Sequence, residues 1–310
     1  KYLPTGFLPP EDQGYFFINV STPKGYSLKK TDALTRQIEG ILAKTEGVAS
    51  YTMVPGFSIL DNSVNTTNAM AFVKLTPWKE RKTRALHAFS IIMKTQAAMN
   101  KLPGGIGMAF NAPSIPGLGK TGGLELQLED KAGMGIGKIA EVSAAFSKEA
   151  STRKELAAVF TPFRNDIPQF ELTVNKEKAK TMGIPVNSIY TTLQSLFGSL
   201  YVNDFNKFGK SYRVIIQADA IYRANKEDIS NVYVRSNSGK MVPLGTLVTL
   251  TPREGPDLVK RFNLYGSADY TIAPAPGYSS GQAIETVKEI AAKTLPYGFG
   301  YEYSGLTRQE

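Results

Sequence analysis

The pattern of hydrophobic and polar positions in the first third of the chain predicts alternating strands and helices. Apolar and polar side chains alternate, as in half-buried strands, at 14–21, 48–55, 68–76 and 105–111. Apolar positions at helical spacing predict helices at 28–45 and 83–101, with inward faces formed by Leu34, Ile38, Ile41 and Leu42 in the first and by Leu86, Phe89, Met93 and Ala97 in the second. The order βαββαβ is that of a split βαβ, ferredoxin-like sandwich.

A second unit of this kind is predicted further along, but in two halves. Its first half contains a strand at 124–128, a helix at 137–147 and a strand at 156–163, and the remainder arrives only at 258–303. The form Leu-Pro-x-Gly-apolar-Gly-apolar-x-aromatic occurs at both Leu102–Phe110 and Leu295–Tyr303, which indicates an internal repeat.

The predicted fold class is therefore α+β, with two ferredoxin-like split-βαβ subdomains, the second interrupted by a small inserted α+β subdomain. Two hairpins are expected in the insertion, one of them turned by residues 236–240. The predicted boundaries are 1–13 for a leading segment, 14–121 for the first subdomain, 122–167 with 253–305 for the second, 168–252 for the insertion and 306–310 for a trailing segment.

An apolar loop is predicted between the second and third strands. Val54 to Leu60 carries Phe57, Ile59 and Leu60 close together. Because loops at the surface usually expose polar groups, this loop is either tucked into a core or offered to an apolar partner. Local sequence alone leaves both interpretations open.

Composition narrows the functional class. The chain has 310 residues, 42% of them hydrophobic, and no run of eighteen or more apolar residues that would span a membrane. Cysteine is absent, which excludes a disulfide framework and thiolate chemistry. The net charge of +9 is spread along the chain, which is typical of solvated faces. Both termini read as if the chain belonged to something longer.

Candidate catalytic motifs are weak. The single histidine, His87, has no partners for a metal site or a triad. The glycine runs at 117–121 and 133–137 lack the flanking residues of phosphate-binding or dinucleotide-binding loops. Adjacent carboxylates on a strand point to opposite faces and make no acid/base dyad. We therefore predict a protein that is not an enzyme, with no cofactor and no metal.

Several short motifs resemble one family along the whole chain. They are Gly6–Gly14, Pro168-Gln169-Phe170, Tyr201–Phe205, Met241–Leu244, Ala275-Pro276-Gly277 and Ser304-Gly305. In this order they resemble the second large periplasmic loop of resistance-nodulation-division (RND) multidrug efflux pumps, in the hydrophobe/amphiphile, AcrB- and MexB-like branch. The resemblance implies that 14–121 corresponds to porter subdomain PC1, that the split unit corresponds to PC2, and that the insertion corresponds to docking subdomain DC. It also implies that 1–13 leaves the membrane and that 306–310 returns to it.

The resemblance also implies site residues. The switch loop would be Gly56, Phe57, Ser58, Ile59 and Leu60, with Ser58 in place of a glycine and a loop at 58–67 longer than the family pattern. Val54 and Phe72 match deep-pocket positions, and Thr52 and Ile59 stand where close relatives have phenylalanine. Outer-cleft positions are matched by Leu124, Leu126 and Leu128, and the family normally has aromatic residues at the first two. Phe160 stands where the family has an arginine, and Asn19 stands where it has a methionine. The tip that faces the channel partner would be Asn237, Ser238, Gly239 and Lys240.

The implied function is that of a substrate-binding and conduit region of a proton-driven inner-membrane pump in a Gram-negative envelope. Amphiphilic or hydrophobic compounds would enter between PC1 and PC2 and pass the switch loop toward an outer-membrane channel. The expected partners are a homotrimer of the full-length pump, a periplasmic adaptor protein and that channel, with no nucleic acid. The alternative from the residues alone is a basic, ferredoxin-like nucleic-acid-binding module, which would need Arg, Lys and aromatic side chains on one sheet face.

Overall fold

The computed structural model describes residues 11–309 apart from residue 116. It has a mixed α+β architecture with several antiparallel sheets. The chain forms two compact units: Pro168–Arg253 is one, and the chain on either side of it forms the other.

The first sheet is built from the N-terminal part of the larger unit. Its elements are β1 (Tyr15–Ser21), α1 (Leu28–Leu42), β2 (Val48–Ser58), β3 (Ser63–Leu75), α2 (Ala88–Met99) and β4 (Ile106–Asn111). The strand order is β2-β3-β1-β4, and every neighbouring pair is antiparallel. Both helices pack on one face, where Phe16, Ile18 and Val20 of β1 meet Leu34 and Ile38 of α1 in a buried core.

The second sheet uses the rest of the larger unit. Its elements are β5 (Leu124–Asp130), α3 (Ile136–Ala150), β6 (Leu156–Phe160) and, after the smaller unit, β13 (Lys260–Phe262), β14 (Tyr265–Pro274), α6 (Ser280–Thr294) and β15 (Phe299–Ser304). The order is β13-β14-β5-β15, with β6 also paired to β14. Phe146 of α3 and Tyr270 of β14 pack edge-to-face in its core, with ring centroids 4.9 Å apart.

The smaller unit is built largely from short elements around its own core. They are β7 (Ile167–Val174), α4 (Lys176–Thr181), α5 (Val186–Leu193), β8 (Leu200–Lys207), β9 (Lys210–Ile216), β10 (Tyr233–Arg235), β11 (Met241–Pro243) and β12 (Val248–Gly255). The strands pair two by two, as β7 with β12, β8 with β9, and β10 with β11. Ile189 and Leu244 are fully buried at the centre of this core.

The predicted apolar loop differs from expectation. Residues 58–67 were expected outside the strands, but β3 begins at Ser63 and the two strands continue as a hairpin in which Phe57 pairs with Val64 and Ser58 with Ser63. A register shift lies between Pro55 and Phe57. Backbone pairing therefore satisfies groups that a free loop would leave to water. We call residues 57–63 the hairpin tip.

The predicted inward face of the second helix was wrong. Phe89 and Met93 are largely exposed, and Ala88, Ile91, Ile92, Thr95 and Met99 are buried instead. α2 carries large apolar side chains on two sides, and the side with Ala88, Ile91 and Ile92 is the one that packs on the sheet. Helical spacing identifies both sides but does not show which of them is buried.

The stretch before β1 is held to the first sheet by a buried ion pair. The carboxylate of Asp12 accepts hydrogen bonds from Arg81 Nη1 at 2.6 Å and Nη2 at 2.9 Å, and from the backbone N–H of Ala88 at 2.9 Å. Burial opposes the charged carboxylate, but these donors outweigh it and hold the pKa of Asp12 well below its usual range. Asp12 thus joins the stretch before β1 to the start of α2.

Candidate ligand-binding site

The face of the first sheet opposite its helices carries a row of aromatic side chains. Phe16, Ile18 and Val20 point into the helical core, so Tyr15 and Phe17 point to the other side. Phe17 pairs across the strands with Phe72 on one side and Phe110 on the other. Directly opposite residues share a face. We call Tyr15, Phe17, Phe72 and Phe110 the aromatic face.

These rings contact one another in the geometry that aromatic quadrupoles prefer. The ring centroids of Phe17 and Phe72 are 5.3 Å apart with planes at 80°, and those of Phe17 and Phe110 are 6.0 Å apart. Phe72 is 46% exposed, whereas Phe110 is nearly covered. The aromatic face therefore combines a covered ring, Phe110, with the exposed ring of Phe72, which an apolar ligand could reach.

Two of the predicted pocket residues border this face on β2. Thr52 pairs with Phe72, and Val54 pairs with Met70, so both side chains lie on the same side as Phe72. Thr52 is exposed and Val54 is half-buried. The structure thus brings Thr52, Val54 and Phe72 together.

The hairpin tip extends from the edge of this sheet. Phe57 and Ile59 are half-buried, whereas Ser58 and Leu60 are buried. Gly56 has φ +88°, a conformation that side-chain-bearing residues rarely adopt. The predicted switch-loop residues therefore form a strand end and a tight turn, with Phe57 and Ile59 as the accessible side chains.

Ser58 and Asn19 stabilise the hairpin tip by hydrogen bonds and expose almost no surface to a ligand. The Ser58 hydroxyl lies 3.2 Å from Asn19 Oδ1 and donates to it, and it accepts from the backbone N–H of Asp61 at 3.3 Å. Both Ser58 and Asn19 are almost fully buried. In this conformation their contribution to a site is to position the turn.

The three leucines predicted at an outer cleft lie in the core of the second sheet. Leu124, Leu126 and Leu128 are each at most 4% exposed and pack with side chains of α3 and α6. A ligand cannot reach them in this conformation, because alternation along β5 turns all three toward the helices. Phe160 pairs with Thr271, whose other partner is Glu125, so Phe160 lies on the opposite face and is half-buried.

That opposite face of the second sheet is polar. Glu125, Gln127 and Glu129 of β5 lie beside Ser267 and Asp269 of β14. Glu125 accepts from the backbone N–H of Thr121 at 3.2 Å, and Lys131 Nζ lies 3.1 Å from Glu129. Glu125 and Asp269 are thus engaged by neighbouring groups, whereas, among the residues that the structure describes, the buried Ser267 hydroxyl has no hydrogen-bond partner and Glu129 has only the ion pair with Lys131.

The hairpin tip meets this polar face at Lys260. Its ammonium group lies 2.9 Å from Asp61 Oδ1 in the tip and 2.6 Å from Asp269 Oδ2 in β14. Burial opposes the charge, but the two carboxylates outweigh it and raise the pKa of Lys260. A shallow depression beside these groups is also lined by Phe163 and Leu258. Charge, apolar surface and a hydrogen-bonded turn thus converge there.

The predicted docking tip belongs to the smaller unit. Asn237, Ser238, Gly239 and Lys240 form the exposed turn between β10 and β11. Gly239 has φ +84°, and the N–H of Asn237 donates to the carbonyl of Gly183 at 2.9 Å. The turn is therefore a firmly held, solvent-exposed projection.

Sequence reasoning missed most of the aromatic face. Tyr15, Phe17 and Phe110 were assigned to strands, but no role was given to them. The run Tyr15-Phe16-Phe17-Ile18 is apolar on both faces of β1. That two-sided pattern was the available signal, since a strand with one solvated face alternates with polar residues.

Comparison with known proteins decides the family. The sequence profile of the AcrB/AcrD/AcrF family matches residues 1–310. The chain belongs to the AcrB/AcrD/AcrF family. This confirms the resemblance to RND efflux pumps drawn from the short motifs, and it makes the chain part of a transport protein rather than an enzyme.

Individual members of the AcrB/AcrD/AcrF family match almost the whole chain. The toluene efflux pump membrane transporter TtgB of Pseudomonas putida is 34% identical over 99% of this chain and 29% of its own length. The multidrug export protein AcrF of Escherichia coli is 34% identical over 99% of the chain and 30% of its own length. The chain therefore spans about three tenths of the length of these relatives.

Two absences concern the residues that the structure describes. Within residues 11–309, leaving out 116, no group of three or more His, Cys, Asp or Glu side chains is arranged to hold a metal ion. Among the helices of that same part of the chain, none has the length and apolar character needed to cross a membrane.

Proposed function

We propose that this chain is the periplasmic substrate-binding and conduit region of an inner-membrane, proton-driven multidrug efflux pump. Amphiphilic or hydrophobic compounds would bind at the aromatic face and pass the hairpin tip on their way toward an outer-membrane channel. The observation that carries the proposal is the aromatic face itself, where the exposed ring of Phe72 lies beside Thr52 and Val54 on a four-stranded sheet. Family membership supplies the transport context.

The proposed subdomains follow the sheets. The β2-β3-β1-β4 order with both helices on one face fits a ferredoxin-like PC1 subdomain, and the second sheet fits a ferredoxin-like PC2 subdomain completed after an insertion. The compact unit Pro168–Arg253 would be the docking subdomain DC. In the complete pump we propose a homotrimer that works with a periplasmic adaptor protein and an outer-membrane channel.

Binding would be driven by transfer of apolar surface out of water, at about 25 cal/mol per Å² buried. Such contacts discriminate poorly between greasy compounds of similar size, which suits a broad substrate range. The accessible residues proposed to contact substrate are Phe57, Ile59, Thr52, Val54, Phe72 and Phe160. Asn19 and Ser58 would act through the turn, and Leu124, Leu126 and Leu128 would contact substrate only if the second core opened.

The test is efflux by the intact pump that carries this chain. Phe72→Ala and Phe57→Ala should each lower resistance to large hydrophobic drugs, because each removes apolar contact area. The matched control is Phe89→Ala, which removes a similarly exposed ring from the outer side of α2. Unchanged resistance for Phe72→Ala at equal expression, or an equal loss for Phe89→Ala, would contradict the proposal.

The nucleic-acid alternative finds less support in the same face. Aromatic rings on central strands could stack on bases, but phosphates would also need several Arg and Lys side chains beside them. Within strands β1 to β4, Lys74, opposite Tyr15, is the one cation on this face, and Asn19, Thr52 and Val54 are uncharged. Oligonucleotide binding that weakens steeply with added salt would revive it.

A further inference from the structure

A continuous chain of polar contacts joins the first sheet to the second through the hairpin tip. It runs from Asn19 to the Ser58 hydroxyl, on to Asp61, and from Asp61 to Lys260. Lys260 then contacts Asp269, whose carboxylate also lies 3.5 Å from Lys120 Nζ. Lys120 Nζ returns to the tip by donating to the carbonyl of Leu60 at 2.6 Å.

We propose that Lys260, Asp61, Asp269 and Lys120 form a latch that holds the hairpin tip closed against the second sheet and controls passage of substrate. This inference rests on the proposed function. Two lysines and two aspartates make the cluster neutral, so the closed state leaves no net buried charge. The side chains of Asp61, Asp269 and Lys260 are 11%, 15% and 21% exposed, which places the contacts in partly desolvated surroundings.

The arrangement of the latch allows the tip to open without leaving a buried, unpaired charge. If the tip moves away, Lys260 loses Asp61 but keeps Asp269 at 2.6 Å, and Asp61 becomes free to be hydrated. Breaking a buried pair is costly mainly when one charge stays buried and alone. Opening therefore costs one ion pair, the hydrogen bond from Lys120 to the carbonyl of Leu60 and the burial of Leu60, rather than the full penalty of an isolated ion.

Local backbone geometry supplies places for the movement. The register of β2 and β3 shifts between Pro55 and Phe57, and Gly56 has φ +88°. At the turn, Asn62 has φ +53°. A bulge and residues with positive φ at the base and apex of a hairpin allow it to bend while the paired strands below stay intact.

A second contact lies on the same hairpin. The amide of Asn65 donates to the carboxylate of Asp257, a residue from the segment that leads into β13. This contact joins the first residues of β3 to the same side of the second sheet. It is outside the latch, so removing Lys260 leaves it in place and keeps the test specific to the tip.

The test uses the absence of cysteine from the chain. In the 310-residue chain, Leu60→Cys places one thiol under the tip, where Leu60 is 2% exposed. Lys260→Met in this background should raise the rate of thiol labelling about tenfold or more, because labelling requires the tip to open. Asp61→Asn should do the same, the double variant should add little, and Lys260→Arg should stay near the parent rate.

Two controls separate the latch from general loss of stability. Lys293→Met removes an exposed ion pair with Glu149, at 2.8 Å, and should leave labelling of Leu60→Cys unchanged. Ile18→Cys reports on the first core and should keep its labelling rate when Lys260 is replaced. Equal labelling of Leu60→Cys with and without Lys260, or a parallel rise at Ile18→Cys, would overturn the latch.

The transport part of the inference is tested in the intact pump. Lys260→Met should lower efflux of large drugs at equal expression, whereas Lys260→Arg should retain it. If Lys260→Met speeds the labelling of Leu60→Cys but leaves efflux unchanged, the latch does not control the passage of substrate. A failure of the proposed function can be told apart from a failure of the latch. It would appear as unchanged efflux in Phe72→Ala, whatever the labelling rate of Leu60→Cys.

Discussion

The two sheets of the larger unit use similar strand orders for opposite surface chemistry. Opposite its helices, the first sheet presents Phe17, Phe72 and Phe110, whereas the second presents Glu125, Gln127 and Asp269. In both sheets the helix side is an ordinary apolar core. The difference shows that the helix-facing positions determine the fold, while the other face is free to carry apolar binding surface in one sheet and a polar contact in the other.

The largest effect should come from the core of the second sheet. Phe146→Ala removes a fully buried ring that packs on Tyr270, and it should lower the free energy of unfolding by about 3–5 kcal/mol. Phe72→Ala on the aromatic face should lower it by less than about 1 kcal/mol, since that ring is half-exposed. Chemical denaturation followed by circular dichroism compares the two, and similar losses would contradict the assignment of Phe72 to an available surface.

A slightly smaller effect is expected where the stretch before β1 is attached to the first sheet. Asp12→Asn leaves the buried guanidinium of Arg81 without its anion and should cost about 3 kcal/mol. The fluorescence of Trp78, the single tryptophan, reports on this site because its indole N–H donates to Asp12. A variant with parental stability would show that Asp12 is not what holds this stretch.

Acid should weaken the same contact in a defined direction. The pKa of Asp12 is lower in the folded chain than its unfolded value of about 3.9, so its stabilisation is fully present above that value and is lost as the pH falls below it. The difference in stability between the parent and Asp12→Asn should therefore shrink in acid. A difference that stays constant down to about pH 2 would contradict the depressed pKa.

A smaller effect on stability than at Phe146 or Asp12 is expected at the latch. Lys260→Met should cost only about 1 kcal/mol globally while freeing the tip, because Asp269 keeps Lys120 Nζ at 3.5 Å and Asp61 becomes hydrated once the tip opens. Hydrogen exchange should accelerate in the hairpin tip and not in β1. Uniform acceleration across the first sheet would mean that Lys260 supports the sheet and not the tip.

Much of the fold could be predicted from periodicity because helices and strands of this chain bury one face each. Ile139, Val142 and Phe146 were placed correctly inside α3 from their spacing alone. The spacing failed for α2, where Phe89 and Met93 are exposed, because this helix has a second apolar side that includes Ile91 and Ile92. Periodicity finds both sides, and only the packing of the helix on the sheet selects the buried one.

The site was harder to predict because burial of a strand face depends on distant parts of the chain. The alternation Leu124, Leu126, Leu128 shows that three leucines share a face, but not that the helices cover that face. The pairing of Asp61 with Lys260 joins residues far apart in sequence and has no local signal. Such contacts arise only when the two sheets come together.

The central claim is that the aromatic face contacts substrate, and selective protection of a thiol tests it most directly. In the intact pump, Phe72→Cys and Phe89→Cys place thiols at positions whose phenylalanines are 46% and 55% exposed. The account predicts that a saturating hydrophobic drug slows labelling at position 72 and leaves position 89 unchanged. Equal labelling of position 72 with and without the drug would contradict it.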